Sequence, residues 1–169
     1  MYYLGIRQFA RSLKNLDAIL GKAQSFAEAR KFDVNNFCSV RLFPDMLPFA
    51  NQVRIATDMA KAAAANLGGK EAPKFEDNET TVEQLRARVR RCIAFLDSFS
   101  AADFEKVTSK TIVKIPFPAG KALPADEYLF GRQIPNFFFH VTTAYNLLRQ
   151  GGVEVGKMDF IGDLPVQDA

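Results

Sequence analysis

The chain holds a single histidine, His140, directly after Phe137, Phe138 and Phe139. An imidazole titrates near neutral pH and can act as a base, an acid or a metal ligand. Three- and four-residue steps along a helix put His140 on one stripe with Phe137, Val141, Ala144, Leu147 and Leu148. That stripe faces other helices, not water. Gln52 is a second polar residue on an apolar stripe, shared with Phe49, Val53, Ala56, Met59, Ala60 and Ala63. Thr142, Thr143, Tyr145 and Asn146 flank the His140 stripe and add hydroxyl and amide groups. Buried polar groups need partners, so His140 and Gln52 could satisfy each other or a water. Alternatively Gln52, His140, Thr143 and Tyr145 line a pocket for a small molecule. Catalysis would further require a nucleophile or a second acid within reach of the ring.

Other chemistries lack their motifs. A zinc site takes three or four Cys, His or carboxylate ligands, and there is no HExxH and no Glu-x-x-His. The glycine-rich pieces NLGGK and RQGGVEVGK match neither a P-loop nor a dinucleotide fingerprint. Serine-hydrolase motifs are missing. Cys38 and Cys92 lack ligand spacing and read as buried free thiols of a reducing compartment. A formal net charge of +3 over 169 residues argues against a dedicated nucleic-acid binder. Arg86, Arg88, Arg90 and Arg91 read as a solvated helix face. Arg7, Arg11 and Lys14 interrupt the apolar residues near the start, and no run approaches the ~18 apolar residues of a membrane span. The expectation is a cytoplasmic protein with no membrane or nucleic-acid partner.

Four long helical patterns must position these groups. The first runs from Tyr3 to about Ala29, with Ile6, Phe9, Leu13, Leu16 and Leu20 on one face. The second follows Pro48 and ends at Gly68 and Gly69. The third, Val82 to about Phe99, starts at a capping box, Thr80 with Glu83 or Thr81 with Gln84. The fourth runs from Pro135 to the glycine pair Gly151 and Gly152. Its three consecutive phenylalanines span roughly 200° of the helix surface, so burial on more than one side is expected. The connection carrying Phe37, Leu42, Phe43 and Met46 should cover an end of the assembly. The polar stretch from Lys70 to Thr80 reads as a crossing loop. Residues 108–118 alternate with period two and read as a strand, with hairpin turns open at Ser109-Lys110 or Ala119-Gly120. Asp126 could cap the turn EYLFGR. The tail after Gly152 has no helical period and should fold back on apolar surface. The fold class expected is all-α, a four-helix bundle with a strand-like hairpin insertion before the last helix, as one domain over 1–169.

Two stretches, FPDMLPFANQV and PNFFFHVTTAYNLLRQGGVEVGKMDFIG, resemble an uncharacterised family of the DinB/YfiT-like metalloenzyme superfamily. The resemblance spans essentially the whole chain, and its C-terminal block is the more specific. It implies a DinB-like bundle, commonly dimeric, and some relatives are thiol-dependent transferases. Members carry a metal-binding histidine triad, one on the second helix and two on the last, spaced H-x-x-x-H. His140 matches the first of the last pair, Ala144 the second, and Gln52 the helix-two position. One ligand of three therefore remains a histidine. This implies a degenerate metal site at His140 with Gln52 and Ala144, and no cofactor is expected. A divalent zinc or nickel ion is the alternative. The leading function is small-molecule binding. The alternatives are a transferase- or hydrolase-like enzyme using His140, metal-independent or with an atypical metal, and a structural homodimer.

Overall fold

The computed structural model of the chain describes residues 1–164, 166 and 167. Most of them are helical. The long elements are α1 (Tyr2–Arg30), α2 (Phe49–Gly68), α3 (Val82–Asp97) and α4 (Ile134–Gln150), followed by a short α5 (Lys157–Ile161). α1 packs on α3, α3 on α2, α2 on α4, and α4 returns to α1. Ile6, Phe9, Leu13, Leu16 and Leu20 are wholly buried, as the α1 pattern requires. Lys31 ends that helix in the left-handed region (φ 58°) and returns its N–H to Ala27 and Glu28. In α2, Ala56, Ala60, Ala63 and Ala64 are buried and allow close approach of its neighbours. Gly68 is a true contact glycine, since a Cβ there would stand 2.5 Å from the Phe99 ring. At the start of α3 the capping box is Thr81 with Gln84.

The strand-like stretch forms an antiparallel hairpin of β1 (Ile112–Ile115) and β2 (Lys121–Pro124), with Ile112 opposite Pro124 and Ile115 opposite Lys121. Of the two candidate turns, the hairpin uses the Ala119-Gly120 one, where Gly120 has φ 74°. Val113 and Ile115 face the core while Ile112 and Lys114 face out. Four local expectations need correction. Asp126 makes no capping bond; it accepts the Tyr2 hydroxyl. EYLFGR is not a separate turn, because Glu127–Gln133 is a π-helix that runs directly into α4. The tail is partly helical, as α5. Phe37 is buried, but Leu42 and Phe43 of the same connection are exposed.

The largest departure is Arg88. It is 2% exposed, not part of a solvated face. Its Nε donates to Thr57 Oγ1 at 2.7 Å, Nη2 to Asp58 at 2.8 Å, and Nη1 to Asp77 and Glu79 at 2.6 and 3.0 Å. The Phe75 ring covers the guanidinium at 4.5 Å. The polar crossing loop therefore closes over an α3 cation and ties it to α2.

Both cysteines are free; Cys92 is buried and Cys38 is half-buried. Burial pushes the Cys92 thiol up to about 12. A thiol reagent at mildly alkaline pH is expected to label Cys38 in the native protein and Cys92 only after denaturation. Equal labelling rates for both would refute this.

Candidate functional site

His140 is set by a chain of contacts that starts in the backbone before α2. The N–H of Phe49 donates to Val40 O at 2.8 Å, the N–H of Met46 to Phe43 O at 3.0 Å, and Arg41 to Met46 O. These bonds close the segment 40–49 and fix where the Leu47 carbonyl points. Gln52, on the first turns of α2, donates its Nε2 to Leu47 O at 2.7 Å. A carbonyl can only accept, so this bond turns the amide oxygen the other way. Gln52 Oε1 then lies 2.7 Å from His140 Nδ1.

An amide oxygen is likewise only an acceptor, so His140 Nδ1 carries the proton. In the neutral ring Nε2 therefore holds the lone pair. Burial holds the imidazole below its ordinary pKa, which favours that neutral form. His140 as a residue is 8% exposed. Nε2 has no hydrogen-bond partner among the described residues and is not among the sealed polar atoms, so this edge reaches the surface. The Phe139 ring stands edge-on at 5.2 Å. The result is one oriented neutral imidazole at the seam between α2 and α4. Five clefts on the described residues, 200–640 Å³ in volume, lie elsewhere, with neither His140 nor Gln52 in their walls.

The other candidates lie elsewhere or are engaged. Thr143 is buried, and its hydroxyl donates to Phe139 O at 2.7 Å within α4. The Tyr145 hydroxyl donates to Val155 O at 3.3 Å, and its ring packs on Phe160. Tyr145 lines a 200 Å³ cleft with Thr142, Asn146, Lys157 and Phe160. Ala144 is fully buried and offers only a methyl group. The Leu47 carbonyl is the member that residue types could not announce, because a backbone oxygen carries no sequence signal.

The family ligand positions do not fit a metal ion. Gln52 already uses its oxygen on His140 and its nitrogen on Leu47, and Ala144 has no donor. That leaves one ligand, where a structural or catalytic zinc site takes three or four. Among the described residues no group of three or more His, Cys, Asp or Glu side chains is arranged to hold an ion.

The family described as Domain of unknown function (DUF1993) matches residues 1–161. Among solved structures, the crystal structure of a DinB family member protein from Shewanella denitrificans is 42% identical to this chain. The match covers 99% of this chain and 95% of that one, with a TM-score of 0.92. No curated protein matches.

Proposed function

This chain belongs to the DUF1993 family of unknown function and has a DinB-like fold, and from that premise we propose that it is a four-helix-bundle domain, single over 1–169, that binds a small molecule through Nε2 of His140. The observation that carries this reading is the chain from the Leu47 carbonyl through Gln52 to His140. It presents a lone pair, at fixed orientation, to a ligand O–H or N–H. Exposed Leu47 and Phe139 flank the seam and supply apolar contact. Binding is favoured over catalysis because the Thr143 and Tyr145 hydroxyls are spent on backbone carbonyls. That leaves the ring without the second acid or nucleophile a reaction needs. Among the described residues no helix is long and apolar enough to cross a membrane. Two free thiols suit a reducing, cytoplasmic compartment.

One histidine per chain makes the test direct. Nitrogen NMR of the imidazole is expected to show a single ring with Nδ1 protonated and Nε2 bearing the lone pair. Titration with small phenols and alcohols should move the Nε2 resonance saturably. Gln52→Leu should mix the two tautomers and weaken that response. A ring protonated at Nε2 in the native protein, or one unmoved by every probe, would sink the reading.

The same ring predicts a pH effect. Its folded pKa lies below the ordinary value of about 6.5, so the unfolded chain binds the proton more readily. The associated stability is present above that value and is lost as pH falls toward the folded pKa. His140→Asn is expected to flatten the loss of urea resistance in this window. An unchanged slope would contradict it.

A second reading rests on the exposed Val40, Leu42, Phe43 and Leu47 beside the exposed Phe139. A second copy of the chain would cover this surface. Sedimentation at high micromolar concentration should then give a dimer mass, and a monomer would reject it.

A further inference from the structure

Phe138 and His140 are two residues apart on α4 and so face roughly opposite sides of it. On the Phe138 side, α1, α4 and the chain around α5 enclose a 280 Å³ cleft whose walls include Gln8, Arg11, Ser12, Phe138, Phe160 and Leu164. Arg11 and Ser12 bring donors to it, and Gln8 brings an amide whose Nε2 is turned to Ser12. Arg11 uses one nitrogen, Nη2, on Ile161 O at 3.0 Å. Its Nε is enclosed by protein and has no partner. Ser12 Oγ accepts from Gln8 Nε2 at 3.3 Å, and the hydroxyl hydrogen has no acceptor among the described residues. The charge is also uncompensated. Arg7 and Lys14 of the same helix pair with Asp97, and Lys22 pairs with Asp159. Among the described residues no carboxylate pairs with Arg11.

A cation half-withdrawn from water without a counter-charge is costly, and so is a buried donor without an acceptor. The first cost is offset by one planar anion in the cleft; Nε, shut off by the surrounding protein, takes no part. Nη1 and the second hydrogen of Nη2 are the guanidinium donors left for a carboxylate, and that end of the fork matches it in two parallel hydrogen bonds. The rings of Phe138 and Phe160 and the Leu164 side chain then contact an apolar body. The volume lies just under the range of drug-sized ligand pockets, which suits a small acid. We infer that this cleft is a binding site for a small organic monocarboxylate. It does not depend on the His140 reading, because it shares no residue with the seam of α2 and α4.

Phenylacetate is a suitable probe and phenylacetamide its neutral control. At constant ionic strength near pH 7, calorimetry should show saturable binding of phenylacetate and none of the amide. Arg11→Met should weaken binding about tenfold or more, the loss of a charge-assisted pair. Arg11 also caps α5, so a second variant keeps the test independent of folding. Leu164→Glu places a carboxylate at an exposed wall position and should abolish phenylacetate binding in a folded protein. His140→Asn should leave it unchanged. Absence of saturable binding overturns the inference, as does binding retained in either cleft variant or matched by the amide.

Discussion

Arg88→Ala is expected to destabilise the protein by about 3–5 kcal/mol, the range for breaking a buried ion pair by removing one partner. The carboxylates left behind do not suffer equally. Asp77 is more than half exposed and turns to water. Asp58 keeps Lys61 at 3.0 Å. Glu79, at 12% side-chain exposure, keeps Arg54 at 2.9 Å but loses the partner of its other oxygen. Thr57 Oγ1 loses a donor inside the α2–α3 contact, and Phe75 loses the surface it covers. Arg88→Met should recover part of the loss by filling the space without restoring the hydrogen bonds. Acid dependence gives a second readout. Burial raises the Glu79 carboxyl, but its backbone hydrogen bond and the Arg88 and Arg54 guanidinium groups outweigh that and hold it below the ordinary range. A depressed carboxylate stabilises above its unfolded pKa of about 4.3, and the contribution is lost as pH falls through the folded value. Arg88→Ala should therefore weaken the acid limb of the stability profile. A urea-unfolding loss under about 1 kcal/mol would return Arg88 to the class of surface cations.

Arg88 also shows where sequence reading stops. Its helix was legible in pattern and cap, and Val89, Cys92 and Leu96 are buried on its inner side. Four arginines in six residues look alike to a periodicity argument. What separates Arg88 is Asp77, Glu79 and Phe75 arriving from a loop whose path local sequence does not encode. The π-helix at Glu127–Gln133 was hidden for a related reason. Its residues suit an α-helical turn, and the partners of its polar side chains come from α2, Asn66 Nδ2 on the Tyr128 hydroxyl at 2.8 Å and Gln133 Nε2 on Met59 O at 3.3 Å. By contrast Gln52 and His140 could be paired from stripes alone, because a buried amide facing a buried imidazole has few other ways to be satisfied. Tyr145 lay 140° round the helix from His140, at ~100° per residue. It went with the Phe160 side, so proximity in sequence misled where angle would not have.

The three phenylalanines before His140 should give three different results, and the first is the second large effect. Phe137→Ala is expected to cost about 3–5 kcal/mol, the usual range for a buried aromatic cut to a methyl. Phe137 is wholly buried, its ring lies 4.7 Å from that of Phe9 on α1, and it meets Phe138 edge-on at 5.1 Å. The cavity would open where α4 meets α1. Phe138→Ala should cost less, because that ring is only partly buried against Phe160. Phe139 is 55% exposed, so the triplet does not seal the helix on all sides, and Phe139→Ala should change stability by no more than about 0.5 kcal/mol. Its effect should fall on the site. Phe139 covers one side of the His140 ring, and removing it takes away apolar contact beside Nε2 while leaving the Gln52 bond to Nδ1 intact. Phe139→Ala is therefore expected to weaken the phenol response of the His140 Nε2 resonance with the tautomer unchanged. Phe137→Ala, at temperatures where it stays folded, should leave that response near wild type. If Phe139→Ala unfolded the protein as readily as Phe137→Ala, the ring beside His140 would be core, and the seam would not be open to a ligand.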